Sequence, residues 1–239
     1  MQDAMTPRQR LDAVRERIAR ACARCGRKPA EVTLVAVSKT HPAEDVLALH
    51  AAGQDLFGES YVQEALPKMA ELAGQAREGR TLAWHFIGRL QKNKVKYIAG
   101  KFALLHTIDS LELASIVHKK SAALGLVQPV LLQVNLAHEE QKAGCEPGDA
   151  EGLARAIMGM EGLRLDGLML MPPWDPDPEA NRGLFAQARQ LRDTLARNLG
   201  LALPELSMGM SHDVEQAVEE GATLVRVGTD LFGQRPCAR

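Results

Sequence analysis

The chain has 239 residues, of which 46% are hydrophobic and 25% charged, so it can bury a substantial core in one large domain or two small ones. Its 29 basic and 30 acidic side chains give a formal net charge of −1, which excludes a general electrostatic attraction to nucleic acid or anionic membranes. No apolar run approaches the roughly 20 residues that cross a bilayer, and the charged N-terminus lacks the apolar core of a signal peptide. We therefore expect a cytoplasmic protein with no nucleic-acid or membrane partner.

The first predicted element is an amphipathic helix over about Pro7–Cys25. Its apolar side chains recur at helical spacing, and they include both cysteines of a CxxC pair, Cys22 and Cys25. A structural zinc site would need a second pair of cysteine or histidine ligands at suitable spacing, and the sequence contains none. Because cysteine is among the most frequently buried residue types, we interpret the pair as core packing, with a metal or redox role as the alternative.

From residue 31 onwards, short apolar runs alternate with amphipathic helical patterns. The predicted strands are Thr33–Val37, Asp55–Gly58, Leu82–Ile87, Ala103–His106, Val130–Asn135, Leu165–Leu170, Glu205–Met208 and Thr223–Val227. The predicted helices are Pro42–Ala52, Val62–Ala76, Gln91–Ala99, Leu111–Leu124, Asp149–Met160, Pro178–Leu199 and Asp213–Glu220. Eight strands separated by helices favour an α/β fold of the (β/α)8 type, the TIM barrel, over an open doubly wound sheet.

The whole chain is predicted to form a single domain. No shift of composition marks a linker, and the proline-rich segment Pro172–Pro178 lies between two predicted strands, so we interpret it as a long loop. The expected organisation is an extra N-terminal helix within residues 1–30, the barrel over 31–233 and a short tail over 234–239. We expect no second domain.

The first strand of the barrel leads directly to a lysine. Its apolar run is rich in β-branched residues, as expected for a strand covered on both faces, and Ser38-Lys39-Thr40 follows it. A helix can begin near Pro42, because proline suits the first helical turn. Lys39 is therefore predicted at the carboxyl end of a barrel strand, where this fold places its functional residues. The alternative is an ordinary solvated lysine.

Two later loops have the composition of a phosphate site. They are LSMGMSHD (206–213) and VRVGTDLFG (225–233), which follow predicted strands seven and eight. In TIM barrels this pair of loops, with a helix N-terminus, is the recurrent phosphate-binding place. Glycine lets backbone N–H groups approach a phosphate closely, and serine and threonine hydroxyls can donate to its oxygens. The candidate residues are Ser207, Gly209, Ser211, Gly228 and Thr229.

Arg226 lies within the last predicted strand, between Val225 and Val227. Alternation along a strand puts its side chain on the face opposite to the two valines, so it points into the barrel mouth if the valines face the helices. A buried guanidinium needs partners. It would either pair with a core carboxylate or donate to a ligand.

A strand-end lysine, a phosphate cradle and an inward arginine together suggest a Schiff base between Lys39 and a phosphorylated aldehyde or ketone. Pyridoxal 5′-phosphate (PLP) fits this arrangement, with Lys39 on its aldehyde, the cradle on its phosphate and Arg226 near its pyridine nitrogen. A phosphosugar Schiff-base aldolase would also use a lysine and a phosphate site. It would have no obvious need for Arg226.

The segments that carry these residues resemble the pyridoxal phosphate homeostasis protein family, also called the YggS/PROSC family. The matching pieces run in the family's order over residues 32–233 and read VAVSKTHP, FGESYVQEA, WHFIGRLQKNK, QVNLAHEEQKAG, GLMLM, LSMGMSHD and VRVGTDLFG. The resemblance implies a single-domain relative of the alanine racemase barrel, with a Schiff base at Lys39 and a contact from Arg226 to the pyridine nitrogen. It also implies phosphate contacts from Ser207, Gly228 and Thr229.

One position departs from the family pattern. The family usually has asparagine in GENYVQE where this chain has Ser60, so a cofactor contact from Ser60 is left open. Racemases of this class draw an opposing tyrosine from a second domain and a partner subunit, whereas this chain has only Tyr61 and Tyr97. An arginine at the pyridine nitrogen also weakens the ring as an electron sink.

We therefore expect a PLP-binding protein that acts in intracellular PLP homeostasis with little or no turnover. An amino-acid racemase or related PLP enzyme is the alternative. The expected partners are PLP, with amino acids and the apo forms of PLP enzymes as further candidates, and the expected state is a monomer.

A few other residues have two interpretations each. The basic segment 89–101 is a solvated helix face, or a docking surface for an acidic partner or a second phosphorylated ligand. His85 faces either the cofactor or the core, and His212 faces either the phosphate loop or solvent. Met208 and Met210 stand at a strand end and could line the pocket for the ring.

Overall fold

The computed structural model describes residues 5–75, 79–139 and 143–233. Within them the strands close into one parallel barrel in sequential order, and the last strand pairs with the first. The strands are Thr33–Val37 (β1), Leu56–Glu59 (β2), Ala83–Phe86 (β3), Leu104–Ile108 (β4), Gln128–Val134 (β5), Leu163–Leu170 (β6), Glu205–Met210 (β7) and Leu224–Val227 (β8). The predicted (β/α)8 barrel is confirmed.

A helix precedes the barrel, and one α-helix follows each strand. The helices are Pro7–Arg24 (α1), Ala43–Ala51 (α2), Val62–Glu71 (α3), Val95–Ile98 (α4), Leu111–Ala123 (α5), Ala150–Met158 (α6), Arg182–Leu199 (α7), Val214–Glu219 (α8) and Thr229–Phe232 (α9). The predicted extra N-terminal helix is α1, which starts at a capping box formed by Thr6 and Gln9. Across the described ranges, no helix combines the length and the apolar character that crossing a bilayer requires.

Each predicted helix is longer than the observed one, and three of them exceed it by at least four residues. The prediction for Pro178–Leu199 covers a 3₁₀ turn, Pro178–Asn181, followed by α7, because the buried amide of Asn181 donates to the carbonyl of Pro173 and to Asp213. The segment after β3 likewise forms a 3₁₀ turn before the single turn of α4. Helix α3 ends at Glu71, and the predicted end at position 76 lies outside the described residues, as does the tail at 234–239.

Alternation along the strands divides the buried side chains into two sets. The larger set packs between the barrel and the helices. The smaller set fills the barrel interior and consists of Val35, Leu104, Leu131, Met169 and Leu224. Two positions after Leu104 in β4, Leu131 in β5 and Leu224 in β8, the strand has a buried polar residue that also faces the interior. These residues are His106, Gln133 and Arg226. The interior therefore changes from apolar to polar towards the carboxyl ends of the strands, where a TIM barrel carries its site.

Helix α1 packs against α8 and α9, so it supports the two loops that were predicted to bind phosphate. Arg17 makes the connection. Its guanidinium donates to the carbonyl oxygen of Ser211 at 2.9 Å and to both carboxylate oxygens of Glu215 at 2.7 Å, and it forms an ion pair with Asp230. One cation thus joins the loop after β7 to the first turn of α9.

The two cysteines of the CxxC pair differ in their surroundings. Cys22 is fully buried in the core, as predicted. Cys25 is only half-buried, and its thiol lies 3.3 Å from the carbonyl oxygen of Ala21. Over the residues that the structure describes, no three histidine, cysteine, aspartate or glutamate side chains are grouped as a metal site would require.

Gly167 in β6 provides a test of the barrel packing. A Cβ at this position would lie 1.8 Å from the carbonyl oxygen of Glu205 in β7. We expect Gly167→Ala to lower the free energy of unfolding by roughly 2 kcal/mol or more, because the neighbouring backbone must move. In α6, Gly152→Ala meets nothing within 4 Å and should raise this free energy by about 0.5–1 kcal/mol. Urea denaturation of both variants measures the contrast, and equal effects would contradict the register of β6 and β7.

Candidate functional site

A cavity of about 310 Å³ opens at the carboxyl end of the barrel. Its volume is at the lower end of the roughly 300–1,000 Å³ that small-molecule sites occupy. Six of the predicted site residues line it: Lys39, Ser60, Ser211, Arg226, Gly228 and Thr229. The other residues that matter for the shape of the cavity are His41, Met171, Trp174, Met210 and His212. The ends of β1 and β8 and the loops after β2, β6 and β7 therefore meet at one place.

Three predicted site residues are absent from the lining of this cavity. Ser207 is fully buried in the polar layer of the barrel interior, where its hydroxyl contacts other side chains. Met208 faces the helices, because alternation along β7 turns it to the face opposite to Ser207. A Cβ on Gly209 would lie 2.4 Å from Cβ of Ala217, so this glycine allows α8 to pack closely on β7. These three residues therefore lie outside the lining of this cavity, and their cofactor contacts stay predictions.

Arg226 lies in the wall between the polar layer and the cavity. Its guanidinium Nη1 donates to Oγ of Ser207 at 2.6 Å, and Nη2 donates to the carbonyl oxygen of Leu170 at 2.9 Å. Both partners are neutral, and burial lowers the pKa of Arg226 to about 10, an effect that the carboxylate of Asp213 opposes. The guanidinium keeps its charge at neutral pH. It lies opposite the valines of β8, as the alternation predicts.

Ser207 connects Arg226 to two buried histidines. Nδ1 of His106 lies 2.9 Å from Oγ of Ser207, and Nε2 of His106 lies 3.0 Å from Nδ1 of His85. Because arginine can only donate, Oγ of Ser207 accepts from Arg226, and the two histidine contacts extend this chain across the barrel. Burial lowers the pKa of His85 to about 4 and that of His106 well below its ordinary value. His85 therefore belongs to the core.

Lys39 lies on a turn of unusual backbone geometry. Thr40 has φ of +67°, a left-handed conformation that β-branched residues rarely adopt. The Thr40 N–H donates to Oε1 of Glu64 at 2.5 Å, and the Ser38 hydroxyl donates to Oε1 of Glu59 at 2.7 Å. Both sequence neighbours of Lys39 are thus held by carboxylates.

Lys68 of α3 joins these two carboxylates. Its buried ammonium donates to Oε1 of Glu59 at 2.7 Å, to Oε1 of Glu64 at 2.9 Å and to the carbonyl oxygen of Ser38 at 2.8 Å. All three N–H donors of an ammonium are therefore used. Burial raises the pKa of Glu59, an effect that the hydrogen bond from Lys68 opposes. Oε2 of Glu59 is buried and has no hydrogen-bond partner among the described residues.

Sequence reasoning named Arg226, Ser207 and His85 but missed His106 in their network, and it missed Glu59, Glu64 and Lys68 in the other network. The spacing of four between Glu64 and Lys68 is the one local signal for the latter network, because such residues are neighbours on a helix. This spacing is common on exposed helix faces, and it does not reveal that Lys68 is buried. His106 gave no signal beyond its place in an apolar strand.

The predicted phosphate cradle is partly assembled. The Gly228 N–H donates to Oγ of Ser211 at 3.3 Å, which joins the loop after β7 to the end of β8. Thr229 begins α9, and the first N–H groups of a helix have no intrahelical acceptor. His212 lines the cavity, lies 3.1 Å from the carbonyl oxygen of Pro176 and stacks on the exposed ring of Trp174. The proline-rich loop therefore contributes to the rim of the cavity.

A second cavity of about 590 Å³ adjoins the first and shares Lys39, Ser60 and Met171 with it. Its remaining polar wall includes Tyr61, Gln63, Arg89, Gln91, Lys94 and Gln133. Among the described residues, the whole lining of this cavity contains three cations, Lys39, Arg89 and Lys94, and no carboxylate. The segment 89–101 is therefore more than a solvated helix face, because two of its basic side chains border a cavity next to Lys39.

Comparison with known proteins places this arrangement in a class. Residues 9–236 match the family model for the N-terminal domain of alanine racemase. An alanine racemase of Clostridium difficile has the same fold, with a TM-score of 0.74 and 15% identity over 97% of this chain and 57% of the racemase. The fold and the site thus define a barrel of the alanine racemase type.

Closer relatives identify the family. The pyridoxal phosphate homeostasis protein of Aquifex aeolicus is 45% identical over 227 residues, which cover 95% of this chain and 97% of that protein. The Escherichia coli K12 protein of the same name is 42% identical and covers 94% of this chain and 95% of its own length. The structure of PipY from Synechococcus elongatus, solved with PLP bound, has a TM-score of 0.80 and 39% identity over 92% of this chain and all of PipY. This chain belongs to the pyridoxal phosphate homeostasis protein family.

The buried histidines predict how stability depends on pH. The folded pKa of His85 lies below the unfolded value of about 6.5, so the unfolded chain binds more protons as the pH falls through about 6.5 towards 4. Stability from this residue is complete above that window and is lost within it, by roughly 3 kcal/mol in total. His85→Gln removes this proton binding, so its unfolding free energy should fall less between pH 7 and about pH 4.5.

The control for this measurement is His138→Gln, since His138 is exposed. This variant should keep the pH dependence of the parent protein. Identical pH profiles for His85→Gln and the parent, measured by urea denaturation, would show that His85 is not held neutral by burial.

Proposed function

We propose that the chain binds PLP in the cavity of about 310 Å³ and acts in PLP homeostasis, with Lys39 forming a Schiff base to the cofactor. One observation carries the proposal: an amine, a guanidinium and a cradle of hydroxyl and N–H groups surround a single small cavity. These groups match the aldehyde, the pyridine nitrogen and the phosphate of PLP. The PLP-bound structure of PipY and the names of the curated relatives support this function.

Each part of the site has a defined task in this proposal. Lys39 would hold the cofactor by forming a Schiff base with its aldehyde, with the aldehyde oxygen lost as water. Ser211 and Thr229 offer hydroxyls to the phosphate, and the first N–H groups of α9 add backbone donors. Arg17 holds both loops of this cradle in place from outside. The neutral histidines orient Arg226 through Ser207, so that its remaining N–H groups face the cavity.

The proposed low turnover follows from Arg226. PLP supplies an electron sink that stabilises carbanions, and this sink is strongest when the pyridine nitrogen carries a proton. A guanidinium with a pKa of about 10 donates a hydrogen bond at neutral pH and does not transfer its proton. The site therefore favours holding and releasing PLP over chemistry on amino acids.

The cradle can be tested with two ligands that differ only in the phosphate, PLP and pyridoxal. We expect the double variant Ser211→Ala/Thr229→Val to weaken PLP binding about tenfold or more, which corresponds to about 1.4 kcal/mol, and to leave pyridoxal binding unchanged. Ser207→Ala should weaken both ligands equally, because Ser207 acts through Arg226. Absorbance titration of the apo-protein measures both affinities.

Lys39→Ala completes this experiment. It should abolish the cofactor that borohydride fixes to the parent protein, as measured by mass spectrometry. Fixed cofactor at the level of the parent would refute the assignment of Lys39. Equal loss of PLP and pyridoxal in the double variant would refute the cradle.

The second cavity supports one alternative function, a racemase-like PLP enzyme. Tyr61 lines this cavity together with Lys39, although no tyrosine was expected to face the lysine. The residue is 54% exposed, so a ligand can approach it. Arg89 and Lys94 could hold the carboxylate of an amino acid beside it.

Exchange of the amino-acid α-proton distinguishes this alternative from binding alone. If the alternative holds, holo-protein in deuterated water should exchange the α-proton of alanine, and Tyr61→Phe should slow the exchange at least tenfold. Tyr97→Phe is the matched control, because Tyr97 does not line the cavity. Proton NMR measures the exchange. If holo-protein exchanges no faster than free PLP, the racemase-like function is excluded.

A further inference from the structure

The network around Lys68 forms a connected set of contacts at the turn that carries Lys39. We define it as the Lys68 clamp, which consists of Ser38, Thr40, Glu59, Glu64 and Lys68. Glu59 is fully buried at the end of β2, and the Lys68 side chain is 6% exposed. Five hydrogen bonds of 2.5–2.9 Å hold the set together.

A buried ammonium beside two carboxylates has a cost. Buried ion pairs are often no more stabilising than apolar residues of similar volume, because desolvation offsets the attraction between the charges. Burial raises the pKa of Glu59. Oε2 of its carboxylate has no hydrogen-bond partner among the described residues. Thr40 adds a second cost, since a left-handed backbone conformation is strained for a β-branched residue. A costly arrangement beside a functional residue points to a role beyond stability.

The contacts of the clamp are aimed at the backbone on both sides of Lys39. Lys68 binds the carbonyl oxygen of Ser38, and Glu64 binds the N–H of Thr40. These two groups set the direction in which the chain leaves β1, and therefore the direction of the Lys39 side chain. Glu59 and Glu64 flank Ser60, whose place in the walls of both cavities depends on the same loop.

We propose that Glu64 and Lys68 are positioning residues, which hold the Ser38–Thr40 turn so that the Lys39 amine meets the aldehyde of PLP. This inference rests on the proposed function. The clamp touches neither the predicted phosphate contacts nor Arg226. It acts on covalent capture of the cofactor, and it leaves the non-covalent binding of the ring and the phosphate unchanged.

The test uses apo-protein and a pair of ligands that differ at one carbon, PLP and pyridoxine 5′-phosphate. The second has an alcohol in place of the aldehyde, so it can occupy the cavity and cannot bond to Lys39. Glu64→Ala should weaken PLP binding about tenfold and change the affinity for pyridoxine 5′-phosphate by less than about twofold. A merely structural role would weaken both ligands together.

Two variants control this comparison. Glu64→Gln keeps a side-chain oxygen that can accept from the Thr40 N–H, so it should retain PLP affinity within about threefold of the parent protein. Glu71→Ala removes an exposed carboxylate from the end of the same helix and should bind both ligands like the parent. Isothermal titration calorimetry measures the affinities, and thermal melting verifies that each variant is folded.

A second test of the clamp replaces the Lys68 ammonium and leaves the Glu64 carboxylate in place. Lys68→Met alone removes the cation from buried Glu59 and can fail to fold, because it leaves an uncompensated buried charge. Glu59→Gln/Lys68→Met removes both charges and avoids this penalty. This double variant should also lose affinity for PLP selectively.

The outcomes separate the inference from the proposed function. If Glu64→Ala and the double variant bind PLP like the parent, or lose both ligands equally, the clamp does not position Lys39. If the parent itself binds the two ligands with equal affinity and borohydride fixes no cofactor, the Schiff base at Lys39 fails, and the inference fails with it.

Discussion

The site depends on how the protein accommodates one buried positive charge. The Lys68 ammonium lies beneath the turn that carries Lys39, where water cannot solvate it, so protein oxygens must satisfy its three donors. Those oxygens belong to the end of β1, the end of β2 and the first turn of α3. A single desolvated cation therefore fixes three chain segments relative to one another, and Lys39 lies on one of them. Thr40, which has an unfavourable backbone conformation, is hydrogen-bonded to one of the carboxylates that bind Lys68, that of Glu64.

The barrel interior applies a second constraint, since buried polar groups must be hydrogen-bonded. An apolar layer fills the lower part, and above it Arg226, Ser207 and two histidines satisfy one another in a chain across the barrel. This chain holds the guanidinium in place, and burial keeps the histidines neutral. The consequence for function is a site with a fixed hydrogen-bond donor at its base. Such a donor suits the ring nitrogen of a cofactor that is held and does not favour protonating it.

Whether the protein is a carrier or an enzyme depends on the residues that line the two cavities at Lys39. The smaller cavity contains the groups expected for a cofactor, and Arg17 of α1 supports its loops from outside. The larger cavity is lined by Tyr61, Arg89 and Lys94 together with Lys39, and these are the groups that an amino acid would contact in the racemase-like alternative. The extra helix and the open neighbouring cavity are thus both parts of the site, although neither belongs to the strands that form the barrel.

The sequence by itself determined the features that depend on local periodicity. It predicted the barrel class, all eight strands to within about two residues, the place of Lys39 after β1 and the inward face of Arg226 on β8. Only the tertiary structure decided the contacts between distant segments. In the structure, Ser207 lies in the buried chain with His106, although it was predicted in the phosphate cradle. Met208 faces the helices, and Lys68 is buried beneath Ser38. The physical reason is that side-chain alternation follows from neighbours along one strand, whereas the partner of a buried polar group is set by barrel closure, which joins residues as far apart as positions 106 and 207.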